Sequence, residues 1–223
     1  MKGKVIVIEG LDGSGKGTQT PLLCEALKKK GRPVEKLSFP CYESDSSALV
    51  KMYLSGKFGD HAGAVNAYAA STFYAVDRYA SYTTSWKEPY KNGAWFVADR
   101  YATSNIIYQM GKLSSIAERD EFIEWSSDFE YKKLEIPKPD LVIFLDMPIE
   151  ISQKLMESRY HGDTSKKDLH ERDIAFLHSC RESALYAAQK CGWRIVACSE
   201  GGEPYSIEEI HKNIFGIISE VLL

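Results

Sequence analysis

The sequence predicts an α/β fold: a five-stranded parallel sheet between two layers of helices, in one domain over residues 1–223. Three observations carry this. Val5, Ile6, Val7 and Ile8 form a short, β-branched apolar run, the pattern of a strand buried on both faces. A glycine-rich turn and a lysine follow it directly. Further apolar runs at 95–98 and 141–145 then alternate with helical patterns down the chain.

The turn comprises Gly10, Leu11, Asp12, Gly13, Ser14, Gly15, Lys16, Gly17 and Thr18. Glycines here let the backbone curl so that several N–H groups point at one centre, which suits a phosphate. Lys16 is expected to reach the β- and γ-phosphates, with the positive end of the following helix behind it. Where serine or threonine usually follows the lysine stands Gly17, and the hydroxyl arrives one residue later, at Thr18. Asp12 is repelled by phosphate and needs a hydroxyl or a metal ion as partner.

Residues 16–30 carry Leu22, Leu23, Ala26 and Leu27 at helical spacing and stop at a lysine run and Gly31. Pro21 is expected to distort the start of this helix. Residues 32–38 make a weaker second strand, and Phe39 and Pro40 break it. Ligands of open parallel sheets bind beyond the carboxyl ends of the strands, so 39–47 is a candidate substrate loop. After a short helix at 48–55 and a loop at 59–63, residues 65–86 predict one long helix dense in aromatics. On it Tyr74 and Arg78 lie four apart, so a ring and a guanidinium could receive a planar base.

The third strand, 95–98, delivers Asp99 and Arg100 to the same edge, a pair fit for magnesium and phosphate or for a plain salt bridge. Tyr101, Ser104, Asn105 and Tyr108 follow as one helical stripe. Residues 116–130 predict a helix with Phe122, Trp125 and Phe129 inward. Strand 141–145 and helix 151–158 come next. The segment RYHGDTSKKDLHERD at 159–173 is polar, with Arg159, Lys166, Lys167 and Arg172, and suits a lid over phosphates. A helix to 190, a fifth strand at 193–198 and a last helix complete the chain. That helix is capped by Ser206 with Glu209 and striped by Ile207, Ile210, Ile214, Ile217 and Val221.

A formal net charge of -3 argues against a protein that coats nucleic acid. No apolar run is long enough to span a bilayer, and the run after Lys4 is too short for a signal peptide. Five cysteines without metal-ligand spacing suggest free thiols in a reducing compartment, with cytoplasm as the default. His161, His170 and His178 read as solvated or loop histidines.

The ordered motifs EGLDGSGKGT at 9–18, FP at 39–40, FYAVDR at 73–78, DRYATSNIIYQ at 99–109, PKPDLVIFLD at 137–146 and HERD at 170–173 together resemble the thymidylate (dTMP) kinases, nearly end to end. No single motif is specific; the set is. The resemblance implies a P-loop kinase of the nucleoside monophosphate type with a short lid. It implies transfer of the ATP γ-phosphoryl group to dTMP with Mg²⁺, and a homodimer. By that resemblance Lys16 and Thr18 match ATP-phosphate and magnesium positions, Asp99 organises magnesium, and Arg100 meets the acceptor phosphate. Asp12 meets the sugar 3′-hydroxyl, Tyr74 stacks on the base and Arg78 bonds it. Asn105 and Tyr108 make base- and sugar-side contacts, the tyrosine disfavouring a 2′-hydroxyl. Phe39, Pro40, Tyr42 and Ser104 border the acceptor, with His170 and Glu171 reaching it from the lid. Arg159, then Lys166, Lys167 and Arg172, supply the charge that some members place at the Gly13 position.

Cys41 and Tyr42 stand where many relatives carry an arginine, and His170 where they often carry tyrosine. Two other readings stay open on the residues alone. A deoxynucleoside kinase needs a carboxylate base near the end of the second strand, and Glu43 is the candidate. A non-catalytic nucleotide-binding module is the other; Lys16, Asp99, Arg100 and the basic lid argue against it.

Overall fold

The structure, a computed structural model, describes residues 2–159, 170 and 173–223, and of Arg159 the backbone alone. Five strands run parallel: β1 (Val5–Gly10), β2 (Val34–Ser38), β3 (Trp95–Asp99), β4 (Leu141–Asp146) and β5 (Arg194–Ala197), in the order β2-β3-β1-β4-β5. The β-branched run of β1 fills both faces. Val5 and Val7 pack with Phe96, Ala98, Val142 and Phe144 on one side, while Ile6 and Ile8 pack with Val97, Ile143 and Leu145 on the other. Every β1 residue is buried, so the central strand anchors two cores at once.

Helix α1 (Lys16–Lys29) and the last helix, Ile207–Val221, cover the second of these faces through Leu23, Leu27, Ile210, Ile214 and Ile218. Pro21 lies inside α1 without ending it. The last helix has the expected Ser206–Glu209 capping box, but its buried face is 210, 214 and 218. Ile207 and Val221, the first and last residues of the stripe, are exposed at the two ends of the helix.

The opposite layer holds α2 (Ala48–Leu54), α3 (Ala67–Ser81), α4 (Lys87–Lys91), α5 (Thr103–Tyr108), α6 (Ile116–Ser127) and α8 (Ile174–Cys191), while α7 (Ile149–Arg159) sends Ile149 into the core of this layer and Ile151 into the core beneath α1. The long helix predicted over 65–86 is α3, a π-helical turn over Tyr82–Trp86 and α4 in succession, so it overruns its expected end. The wider turn admits Pro89, which has no N–H to give. A second π-helical turn, Asp128–Lys133, extends α6. Phe122 is core there, whereas Trp125 and Phe129 are half-buried and stack on each other at 5.3 Å. A small antiparallel pair, Ser199–Glu200 with Glu203–Pro204, was not anticipated.

Between β1 and β2 the chain skips a sheet position, which β3 later fills. The order reverses around β1, and a crevice opens where ligands of such sheets bind. Register aligns the strand ends: Ile8 and Ser38 both pair with Asp99, and Gly10 pairs with Leu145. Residues just past these pairs therefore share one edge.

Candidate active site

The glycine-rich turn joins β1 to α1 at that edge. Gly13 has φ 80°, and a Cβ there would lie 2.5 Å from the Ser152 carbonyl oxygen of α7. No side chain fits between loop and helix. Gly15, at φ 94°, starts α1 in the left-handed region. Lys16 is the first residue of the helix. Its buried Nζ crosses the loop to donate to the Leu11 carbonyl at 2.8 Å. Burial lowers its pKa to about 8, helped by the Arg100 charge and opposed by Asp12, Asp99 and Glu9. Thr18 is exposed on the first turn of α1, with Ser14 buried beneath. Next to them stands Asp99: a Cβ at Gly17 would lie 3.8 Å from its Oδ2. Among the described residues no hydrogen-bond donor reaches the Asp99 carboxylate.

Asp12, expected to need a hydroxyl or a metal ion, has a hydroxyl partner within the protein and an arginine besides. Arg100 pairs with Oδ1, and the Tyr108 hydroxyl donates to Oδ2 at 2.9 Å. Burial alone would raise the Asp12 pKa. The charges of Arg100 and Lys16 and the Tyr108 hydroxyl outweigh it and hold the carboxyl well below the usual range. Arg100 itself sits at φ 67°, a strained position for a residue with a Cβ, and its guanidinium lies 5.0 Å from the Tyr108 ring centroid. Beneath this group Glu9 is buried. It accepts from the Tyr101 N–H, the Thr103 hydroxyl at 2.7 Å and the Ser104 hydroxyl at 2.8 Å. Burial pushes its pKa up, against the Thr103 bond and the Arg100 charge. The carboxylate thus ties the end of β1 to the start of α5.

Beside the loop opens a cavity of about 350 Å³. Phe39, Pro40 and Tyr42 form one wall, and Tyr74 and Arg78 of α3 another. Ser104, Asn105 and Tyr108 of α5 form a third, while Asp12, Asp99 and Arg100 close the end nearest the loop. The predicted stripe is thereby split. Tyr101 also borders the cavity but precedes the helix, with its hydroxyl bonded to the Pro137 carbonyl at 2.9 Å. Ser104 turns its hydroxyl down to Glu9.

Two buried carboxylates brace the walls. Asp77 accepts from the Cys41 N–H at 2.7 Å and from the Ser46 hydroxyl at 2.6 Å, fixing the 39–47 loop to α3. Glu130 takes the Arg78 guanidinium: Nε donates at 3.3 Å and Nη2 to the other oxygen. Arg78, 2% exposed, is therefore a buried, clamped side chain.

His170, read as a solvated or loop residue, lies in a turn but is not solvated. It is buried at the cavity's end, bonded to the Tyr53 hydroxyl at 2.8 Å, and its ring stacks on Tyr108 at 5.8 Å. Burial first, then the Lys112 charge, lowers its pKa to about 4. Lys112 donates to the Tyr53 hydroxyl at 2.9 Å and the Val65 carbonyl at 2.8 Å. Burial lowers its pKa to about 8.

Every predicted acceptor-side residue that can be described thus borders one cavity, and the phosphate loop adjoins it. Lys166, Lys167, Glu171, Arg172 and the Arg159 side chain lie outside the described residues. Glu43 is exposed and does not line the cavity, so the candidate base of a deoxynucleoside kinase is out of place. Sequence reasoning missed Glu9, Asp77, Glu130, Leu54 and Gln109. Glu9 and Asp77 sit inside quoted motifs, where a carboxylate amid apolar residues was a usable signal. Glu130 gave none.

The chain matches the thymidylate kinase family over residues 8–214. It is 32% identical to the thymidylate kinase of Mycobacterium tuberculosis, over 85% of this chain and 87% of that one. It is also 32% identical to a probable thymidylate kinase of Thermococcus onnurineus, over 98% of each chain. The solved thymidylate kinase of Candida albicans superposes with a TM-score of 0.72 at 22% identity, over 98% of this chain and 92% of that one, a likeness of fold.

Proposed function

Because this chain belongs to the thymidylate kinase family, we propose that its cavity holds dTMP while its glycine loop holds the phosphates of ATP, and that the γ-phosphoryl group passes between them. An oxygen of the acceptor phosphate attacks the γ-phosphorus, the bond to the β,γ-bridging oxygen breaks, and dTDP and ADP result. One observation carries this reading: the loop and the cavity meet at the sheet's carboxyl edge and share Asp12 and Arg100.

An ionised phosphate acceptor needs no general base, so the work is positioning and charge neutralisation. The Lys16 ammonium, held at the loop, exchanges the Leu11 carbonyl for donor phosphate oxygens. Arg100 turns from Asp12 toward the acceptor phosphate, and Asp12 takes the sugar 3′-hydroxyl. Tyr74 stacks on the base, Arg78 and Asn105 bond its edge, and Tyr108 crowds the 2′ position.

Thr18 and Asp99 are the residues that would hold Mg²⁺. A carboxylate with no donor from the described residues, beside a hydroxyl, suits a cation that keeps its waters and shares phosphate oxygens, while the helix N-terminus suits the phosphates themselves. When bound, the ion neutralises charge on those oxygens.

Gly13 cannot carry a cation, since α7 blocks any side chain there. The closing charge then comes from the lid, with Arg159 first and Lys166, Lys167 and Arg172 behind it. Arg159→Ala is expected to lower turnover about 10³-fold, with the KM for dTMP little changed; equal turnover rejects the assignment. Exposed Leu49 of α2 and Val76 and Tyr79 of α3 support a homodimer through that face. Five free thiols support a reducing, cytoplasmic setting.

The test is ADP release with ATP, Mg²⁺ and either dTMP, dUMP, dGMP or thymidine. Release with dTMP and none with thymidine is expected. The reverse identifies a nucleoside kinase, and no release with any acceptor leaves a binding module.

A further inference from the structure

Glu130 belongs to no motif and touches no reactive group, yet it is 1% exposed and bonds two cavity side chains at once. Its Oε1 accepts from Arg78 Nη2 and, at 3.3 Å, from Asn105 Nδ2; its Oε2 accepts from Arg78 Nε. Asn105 Nδ2 also donates to the Ser71 carbonyl at 3.3 Å. Both protons of that amide thus face acceptors, a carboxylate and a backbone oxygen. Turning the amide over would set its oxygen against both, so its orientation is fixed. What Asn105 has left for the cavity is Oδ1, a pure acceptor that takes no hydrogen bond from the described residues.

Arg78 is fixed by the same carboxylate. With Nε and Nη2 committed, its remaining N–H groups are donors held in a set plane. The wall therefore presents a donor beside an acceptor, and that order is imposed from behind by Glu130.

We propose that Glu130 is the positioning residue that makes this cavity select a 4-keto pyrimidine over a 4-amino one. The proposal rests on the reading of the cavity as a pyrimidine nucleotide site. A 4-keto base offers an acceptor at O4 and a donor at N3–H, complementary to Arg78 and to Asn105 Oδ1. A 4-amino base reverses both groups, setting donor against donor and lone pair against lone pair. Buried polar groups left facing like partners discriminate strongly. Were the carboxylate replaced by a group that can itself donate, the Ser71 carbonyl alone would oppose turning Asn105 over, and the order would be less strictly enforced.

The experiment compares wild type with Glu130→Gln, a side chain of the same shape whose amide can donate to Asn105. Kd values for dTMP, dUMP and dCMP are measured by competition, so that poor acceptors are included. The dTMP-over-dCMP preference is expected to fall at least about 10-fold, while the dTMP-to-dUMP ratio stays put because those bases share one edge. A Glu130 that merely braces the fold weakens all three alike, and two unchanged ratios overturn the proposal. Wild type that fails to phosphorylate dTMP overturns the functional reading instead, a result separate from the variant's ratios.

Should Glu130→Gln not fold, the wild type alone decides. The Asn105 side-chain amide protons are expected to exchange slowly with solvent in NMR, both free and with dTMP bound. Fast exchange in the free protein rejects a clamped amide.

Discussion

At the residue scale, the phosphate loop works because its glycines stand where nothing else fits. A Gly13→Ala chain must hold a side chain at φ 80° and push its Cβ into the Ser152 carbonyl. The backbone conformation alone costs about 1–3 kcal/mol. We expect a matching loss in chemical denaturation and weaker ATP binding; unchanged stability would mean that α7 withdraws freely from the loop. Lys16 supplies the second residue-scale expectation. Its pKa of about 8 means that the free protein carries the ammonium below that pH and loses it above. The kcat/KM for ATP should therefore fall about tenfold per pH unit above 8, while kcat, which reports the phosphate-bound state, holds further into the alkaline range. A flat profile of kcat/KM to pH 10 contradicts the assignment. Much of this was legible in the sequence, since a strand, a glycine turn and a lysine form one local pattern. The partners of Asp12 were not, because Arg100 and Tyr108 lie far along the chain and meet it only across the sheet edge.

At the element scale, the 39–47 loop has little core of its own and is held by the Asp77 carboxylate on α3. Two short bonds, to the Cys41 N–H and the Ser46 hydroxyl, set where Phe39, Pro40 and Tyr42 stand against the cavity. Asp77→Ala removes both acceptors and leaves the Cys41 N–H and the Ser46 hydroxyl without this partner. Losing a buried bond to a charged group costs about 1.5–3 kcal/mol. The KM for dTMP should rise about tenfold or more, with the KM for ATP unchanged, as read by steady-state kinetics. Equal rises in both would show a general loosening. FYAVDR marked α3 in the sequence through Tyr74 and Arg78, yet Asp77, one residue away, faces the loop instead. Helical spacing gives the face of a residue but not the identity of what packs there. The same reason hid Glu130: it lies in a π-helical turn that breaks the 3.6-residue rhythm of α6, and its partner is remote in sequence. His170, too, read as a lone polar residue because the Tyr53 and Tyr108 rings that bury it come from other elements.

At the scale of the whole molecule, one topological fact organises the site. The sheet order reverses around β1, and the register brings Gly10, Phe39 and Arg100 to one edge. Strand number, strand order of burial and the helices that flank the sheet follow from apolar patterns, which is why the sequence predicted the fold nearly whole. What escaped it were departures from regular period: two π-helical turns and the small antiparallel pair. The central claim is that the cavity beside the phosphate loop is the acceptor site. Its most direct test is the structure of the protein bound to dTMP. The claim requires the base between the Tyr74 ring and the Arg78–Asn105 edge, with the 5′-phosphate at Arg100. A nucleotide seated elsewhere, with Tyr74 and Arg78 out of contact, would contradict it.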